Sequence, residues 1–390
     1  MANTLTNLIP TIYEALDVVS RERVGFIPAV TKNVSAERAA LDQSIRVPIV
    51  PADTTTATNT PSITPPDLGD FTADSVEMKI TKSKHFQVKF NGEELRGLGT
   101  AGTANALVQG RFAQAFRTLC NEVEADLAGL YKSASRAVGT AGTTPFNTAN
   151  DIQDFANVRR ILDDNGCPPD NLKLVLSNAG VQNLRAKQSV LFKANEAGTD
   201  ELLRDGKIMR VMGFDIGQSG QVVTHTKGTL AGSPTLTSTD YAVGATSITL
   251  ASAGTGTIVQ GDFANIAGEN NGIWYGIDTG DADVSDGGTI VLNKPGLRVA
   301  QTTNTSAITI AANYSANLAF HPTAMQLIAR APAMPDGGDV ASDSTFVTDP
   351  ISGLTFEVRE YKGFAQSTYL VMLAWGVKAI KPEHMAVLFG

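Results

Sequence analysis

The chain has 390 residues, 42% of them hydrophobic and only 18% charged, and its formal net charge is −8. That composition excludes a disordered chain and provides for one large domain or a few ordinary ones. The acidic balance excludes a protein that coats nucleic acid, which needs a basic face against phosphates. Cys120 and Cys167 give no disulfide framework, so a reducing compartment is expected. The opening MANTLTNLIP lacks the basic segment and apolar core of a secretory signal. The longest strongly apolar run, Tyr369 to Val377, is too short to cross a bilayer, and a soluble intracellular chain is expected.

In chain order, Ile9 to Val24 reads as a short amphipathic helix. Ile12, Leu16 and Val19 lie on one side, and Glu14, Asp17 and Arg21 on the other. Arg46 to Gly69 is Thr-rich and carries Pro48, Pro51, Pro61, Pro65 and Pro66. Proline removes backbone donors, so neither a helix nor a central strand is expected there. Two alternating runs follow, Val76, Met78 and Ile80, then Phe86, Val88 and Phe90, each patterned as a strand. Together they describe an arm with a long projecting loop, expected to lie against a neighbouring chain; a disordered surface loop is the alternative.

Gly97 to Gly102 spells G-x-G-x-x-G. A dinucleotide site needs an acid about 20 residues on, at the end of a second strand. Glu122 and Glu124 stand at that distance, but inside one continuous helical pattern, so the glycines read as a flexible lead-in to a helix. That helix is expected over Thr103 to Ser135. Ala104, Leu107, Val108, Phe112, Ala115, Phe116, Leu119, Val123, Leu127, Leu130 and Tyr131 form one stripe, while Arg111, Arg117, Asn121, Glu122, Glu124 and Lys132 fall largely outside it. At 1.5 Å per residue it would span roughly 50 Å, a spine for other layers or a long core helix.

Residues 139–220 read as an α/β layer: a helix over Asp151 to Asp163, a buried strand over Leu172 to Leu176, and further helical and strand pieces. From Val222 to Ala312 the chain turns to Gly, Thr, Ser and short β runs, as expected of an inserted β-barrel-like or sandwich domain. Its expected core is Val243, Ile248, Leu250, Ile258, Phe263, Ile266, Trp274, Ile277, Ile290 and Leu292. Asp278, Asp281, Asp283 and Asp286 miss the EF-hand spacing and read as a hairpin tip, with Arg298 a basic group able to bridge such tips. After the insert, strands return through Phe356, Val358, Leu370 and Trp375. His85, His225, His321 and His384 have no metal-ligand spacing, and no phosphate loop or nucleophile elbow is present. No catalytic, cofactor or metal residues are assigned, and a structural protein is expected in preference to an enzyme.

Taken together, these parts resemble the major coat proteins of tailed bacteriophages with the Hong Kong 97-type fold, in the short-tailed branch that carries an inserted β domain. The likeness lies in the order of parts and locally in LCNEVEADLAGL (Leu119 to Leu130), FHPTAMQLIARAP and the ending YLVMLAWGVKAIKPEHMAVL. It implies an α+β chain divided into an N-terminal arm (1–45), extended loop and hairpin strands (46–90), spine helix (91–140), peripheral and axial α/β region (141–221), insert (222–312) and returning strands (313–390). It also implies a capsid protein forming pentamers and hexamers of an icosahedral shell around double-stranded DNA, through a procapsid built with a scaffolding protein and a portal. Such a protein is located in the virion and assembled in the host cytoplasm. Glu14 and Asp17 best match the acidic positions that meet scaffold in such coats. A compartment shell of the same fold, or an α/β enzyme with a β accessory domain, remain alternatives.

Overall fold

The structure is a computed structural model that describes residues 24–49, 61, 63, 74–94, 96, 104–188, 208, 210–237, 240–251, 254–267, 272, 274–301, 306–349 and 352–390. The chain enters through a 3-10 turn, Ile27–Ala29. It continues into β1 (Thr31–Ala39), β2 (Ser44–Ile49), β3 (Asp74–Lys79) and β4 (Lys82–Asn91), then α1 (Ala104–Ala128). Next come β5 (Arg136–Val138), α2 (Gln153–Asp164), β6 (Leu172–Leu176), α3 (Asn178–Lys187), β7 (Arg210–Val211), β8 (Phe214–Gln218) and β9 (Thr224–His225). The glycine-rich stretch contributes β10 (Ser247–Leu250), β11 (Phe263–Ile266), β12 (Trp274–Thr279), β13 (Gly288–Leu292) and β14 (Ile308–Ile310). The return comprises β15 (Tyr314–Phe320), β16 (Met325–Pro332), β17 (Asp343–Thr348), β18 (Thr355–Gly363), β19 (Gln366–Ala379) and β20 (Met385–Phe389). The result is mixed α/β and rich in strands.

Two sheets organise it. The first has the order β1-β16-β19-β18-β17, and β4 also pairs with β19. The 14 residues of β19 suffice for three partners: β18 along its first half, β16 along its second, and β4 along Gln366 to Trp375. Helix α1 lies across this sheet because its apolar stripe needs a flat partner. Phe112 meets Tyr369 edge-on at 5.6 Å and Phe116 meets Phe356 at 5.1 Å. Val108, Ala115, Leu119, Val123 and Leu127 are buried beside them. The helix ends earlier than the periodicity implies. Its last turns, Gly129–Ser133, tighten to 3-10 geometry, which keeps Tyr131 in the core. The 25 α-helical residues therefore span about 37 Å.

The second sheet runs β10-β13-β12-β5-β20-β15-β6-β8-β7, with β11, β14 and β9 attached. Helix α2 covers it through Phe155, Val158, Ile161 and Leu162, over a core shared with Leu172, Leu174, Phe214 and Leu388.

Several expectations need correction. Arg46 to Ile49 is a strand after all. Pro48 is tolerated because its ribbon has only two strands, so no third strand calls on its missing N–H. Glu124 is buried, 3% exposed, because it bonds an incoming segment of chain. All five short β runs of the glycine-rich stretch are strands, but the stretch is not closed on itself. Strand β12 pairs with β5, so the sheet continues out of it. Ile248, Leu250, Ile258, Ile266, Ile277, Ile290 and Leu292 share a local core with Leu236, Tyr275 and Val284. Phe263 is instead buried in the main core, half-buried Trp274 packs against that same core, and Val243 is 63% exposed.

Candidate assembly surface

The root of the N-terminal arm is fixed by one carboxylate. Glu124, on α1, accepts the backbone N–H groups of Gly25 at 2.7 Å, Phe26 at 2.7 Å and Ile27 at 3.0 Å. Burial raises its pKa, opposed by those bonds. A side chain at Gly25 would stand 2.9 Å from the Gln218 carbonyl oxygen, so the approach to β8 requires glycine. Phe26 then stacks on Phe320 at 6.4 Å. Glu14 and Asp17 lie outside the described residues.

Strands β2 and β3 form a two-stranded ribbon, antiparallel from Ser44↔Lys79 to Ile49↔Asp74. At its foot, Met78 and Ile80 are buried with Ala39, Ile328 and Ala374, and Ile45 and Val47 pack against them. A Cβ on Gly376 would stand 2.0 Å from the Lys79 carbonyl oxygen, so glycine in β19 is what admits the ribbon. Pro48 and Pro61 are exposed; Pro51, Pro65 and Pro66 lie outside the described residues.

Polar junctions hold the helix and sheets in register. Asp126 accepts from Lys82 Nζ at 2.6 Å and from Trp375 Nε1 at 2.8 Å. Tyr131 Oη lies 2.7 Å from His225 Nδ1, and His225 Nε2 lies 2.8 Å from Asp262. Asp262 also accepts the Val259 N–H at 2.9 Å and that of Gly228 at 3.1 Å. Tyr131, His225 and Asp262 are 2%, 5% and 1% exposed, so this acid–histidine–tyrosine arrangement is a sealed rivet between α1, β9 and the β11 turn. Burial, with the nearby Asp262 charge, pushes the Tyr131 phenol up to about 12. Sequence reading missed it because its members stand far apart in the chain and form no local motif. Arg298, expected at acidic tips, instead reaches α2. Its Nη1 donates to the Asp164 carbonyl at 2.9 Å, and Nη2 lies 3.4 Å from the Asp164 carboxylate.

A charged network occupies one end of the first sheet. Glu357 accepts bidentate pairs from Arg38 at 2.6 and 2.9 Å and from Arg359 at 2.8 and 3.0 Å. Arg359 and Tyr361 both donate to Asp339. Burial works against the Glu357 charge, but the arginine hydrogen bonds prevail and hold its pKa below the ordinary range.

At the other end of the same hairpin, the register Gly363↔Gln366 leaves Phe364 and Ala365 as the tip. Phe364 is 100% exposed. The Gly92 N–H donates to the Ala365 carbonyl at 3.2 Å, tying the tip to the end of β4. Beside it opens a cleft of about 650 Å3.

The acidic turn between β12 and β13 is a hairpin connection. Asp281 and Asp283 accept hydrogen bonds from the backbone of Asp283 and Ser285. Among the described residues no cluster of three metal-ligating side chains occurs, and no helix is long and apolar enough to cross a membrane.

No family model matches the chain, and no curated protein does. Solved structures are similar to it along nearly its whole length. The capsid of a native GTA particle is 8% identical at a TM-score of 0.47, over 95% of this chain and 90% of that one. The capsid of cyanophage P-SCSP1u is 11% identical at 0.46, over 94% and 88%. A virus-like particle from Pyrococcus furiosus is 9% identical at 0.41, over 97% and 98%.

Proposed function

We propose that this chain is the major capsid protein of a tailed phage, a structural protein of the Hong Kong 97 type. Its copies assemble into an icosahedral shell around double-stranded DNA. The observation that carries the reading is the β2–β3 ribbon. A two-stranded ribbon is marginal in water unless another surface covers it. Among the described residues its apolar face is seated through Ile45, Val47, Met78 and Ile80, while Arg46, Pro48 and Glu77 are exposed, which favours a neighbouring subunit as the cover for the other face. The acidic chain suits a container, since a basic wall would hold DNA that must slide. The insert at 222–312 forms an accessory unit welded to the subunit through β12 and β5. Scaffold-assisted assembly belongs to the same reading, with Glu14 and Asp17 meeting a basic scaffold segment and a portal at one vertex.

Expression of the intact chain should give multi-megadalton particles on sedimentation and electron microscopy. A chain that stays monomeric at every concentration overturns the reading. Enclosed DNA supports the phage shell, whereas an enclosed enzyme supports a cellular compartment instead. Deleting Thr54 to Thr60 should leave soluble subunits that assemble poorly, and Asp17→Lys should lower the scaffold content of particles.

A further inference from the structure

We propose that two chain corners joining the sheets form a proton-sensitive clasp, closed while His321 and His384 are neutral and loosened when they carry charge. The clasp lies within one subunit and is independent of how copies assemble.

After the insert, the chain passes between the two sheets twice. It leaves β15 through His321 and the 3-10 turn Pro322–Ala324 to enter β16. It leaves β19 through Ile380 and Lys381 and the 3-10 turn Pro382–His384 to enter β20. Each turn opens on a proline, whose missing N–H costs nothing there. The two corners hold one another through the backbone. The Ala324 carbonyl accepts the Ile380 N–H at 2.7 Å and the Lys381 N–H at 3.2 Å, and the His384 carbonyl accepts the His321 N–H at 3.3 Å. Each corner is also tied to a different layer. Thr31 Oγ1, on β1, donates to the Pro322 carbonyl at 2.9 Å. Asn165 Nδ2, at the end of α2, donates to the Glu383 carbonyl at 2.6 Å. The three mutual bonds therefore join one layer to the other at this end.

Both rings stand where an added proton has no acceptor waiting. His321 Nδ1 accepts the Thr323 N–H at 3.3 Å and lies 2.7 Å from Thr323 Oγ1, which caps the first turn. A proton on Nδ1 would convert that acceptor into a donor and leave the Thr323 N–H unanswered. His384 is 8% exposed, and its Nδ1 is buried with no hydrogen-bond partner among the described residues. A charged imidazole carries hydrogen on both nitrogens, so charging His384 places an unmatched N–H in the interior. Burial is the main cause that holds both rings below their ordinary value of 6.5. Lys381 adds to it at both, and His321 adds to it at His384. Asp170, between α2 and β6, opposes the change at His321, and Glu383 opposes it at His384. The contribution to the clasp is thus complete above 6.5 and is lost as pH falls from there through the folded values.

Hydrogen exchange on dilute subunits of the intact chain, each amide corrected for its intrinsic rate, reads the clasp. Between about pH 8 and about pH 5, protection of the Ile380, Lys381 and His321 amides should fall at least about ten-fold. Amides in the β6–β15 pairing should not change. His321→Asn keeps a capping acceptor and His384→Gln keeps a polar side chain, and neither titrates. The double variant should hold its protection across the range. Wild-type protection that is constant with pH overturns the clasp. A fall that persists in the double variant overturns the role of the histidines and moves it to Asp170, Glu383 or another group. Ring-proton magnetic resonance of the unsubstituted chain supplies a reading that needs no variant. Both rings should titrate below about 6.5, and titration of either at or above that value overturns its part in the clasp.

Discussion

The two ends of the β18–β19 hairpin are built to opposite standards. At its base, Glu357 is fully buried, and four hydrogen bonds from two arginines answer its charge. At its tip, seven positions on, Phe364 is 100% exposed. One strand pair thus holds a charge answered within the subunit and an aromatic ring left to solvent. Exposure alone separates them, because both are continuous with the same hydrogen-bonded ladder.

The difference can be broken first at the base. Glu357→Ala leaves two arginines without their shared carboxylate and should cost about 3–5 kcal/mol of subunit stability in a denaturant melt. The same group supplies a pH signature. Its folded pKa lies below its ordinary value of 4.5, so its contribution is complete above that value. The contribution is lost as pH falls through the folded pKa. Wild-type stability should therefore drop in acid below about pH 4.5 more steeply than that of Glu357→Gln. Glu124 has the opposite sign, because its folded pKa is raised. Its contribution is present below the ordinary value and lost as pH rises through the folded one.

Glu124→Ala comes next, exposing three buried N–H groups, and should cost about 2–3 kcal/mol. Limited proteolysis should then cut ahead of Phe26 sooner than in the wild type. Trp274→Ala should cost about 2 kcal/mol, less than for a fully buried tryptophan, because the ring is half-buried against Phe389. A fragment of residues 222–312 lacks Phe389 and β5. It should keep β-type circular dichroism from its own core, yet show Trp274 emission already at the unfolded position. At the small end, Phe364→Ser should change subunit melting by no more than about 0.5 kcal/mol. A large loss there would mean that the tip is part of the fold.

Much of this was legible in the residues. The apolar stripe of α1, the five short strands of the insert and the Leu172–Leu176 strand follow from periodicity, which is a local property. Phe263 and Trp274 show where the reading stopped. Both are apolar residues within a β-patterned stretch, and nothing in their spacing says that their ring partners are Tyr314 and Phe389. Phe364 was not singled out from the sequence, and only the strand register places it on the turn.

The sequence by itself determined most of the described helices and strands, because side-chain periods of 3.6 and 2 are written residue by residue, and it missed Arg46 to Ile49, where proline masks the pattern. It also carried the resemblance on which the proposed structural role rests, through the order of its parts. Tertiary structure alone decided which carboxylates are buried, because burying a charge is tolerable only where donors from distant segments converge. Glu124 meets that condition through partners 97 to 99 residues away, and Glu357 through Arg38, 319 residues away, together with the local Arg359. It also decided that the insert shares its sheet with β5, since strand pairing between remote segments depends on where the fold brings their edges together.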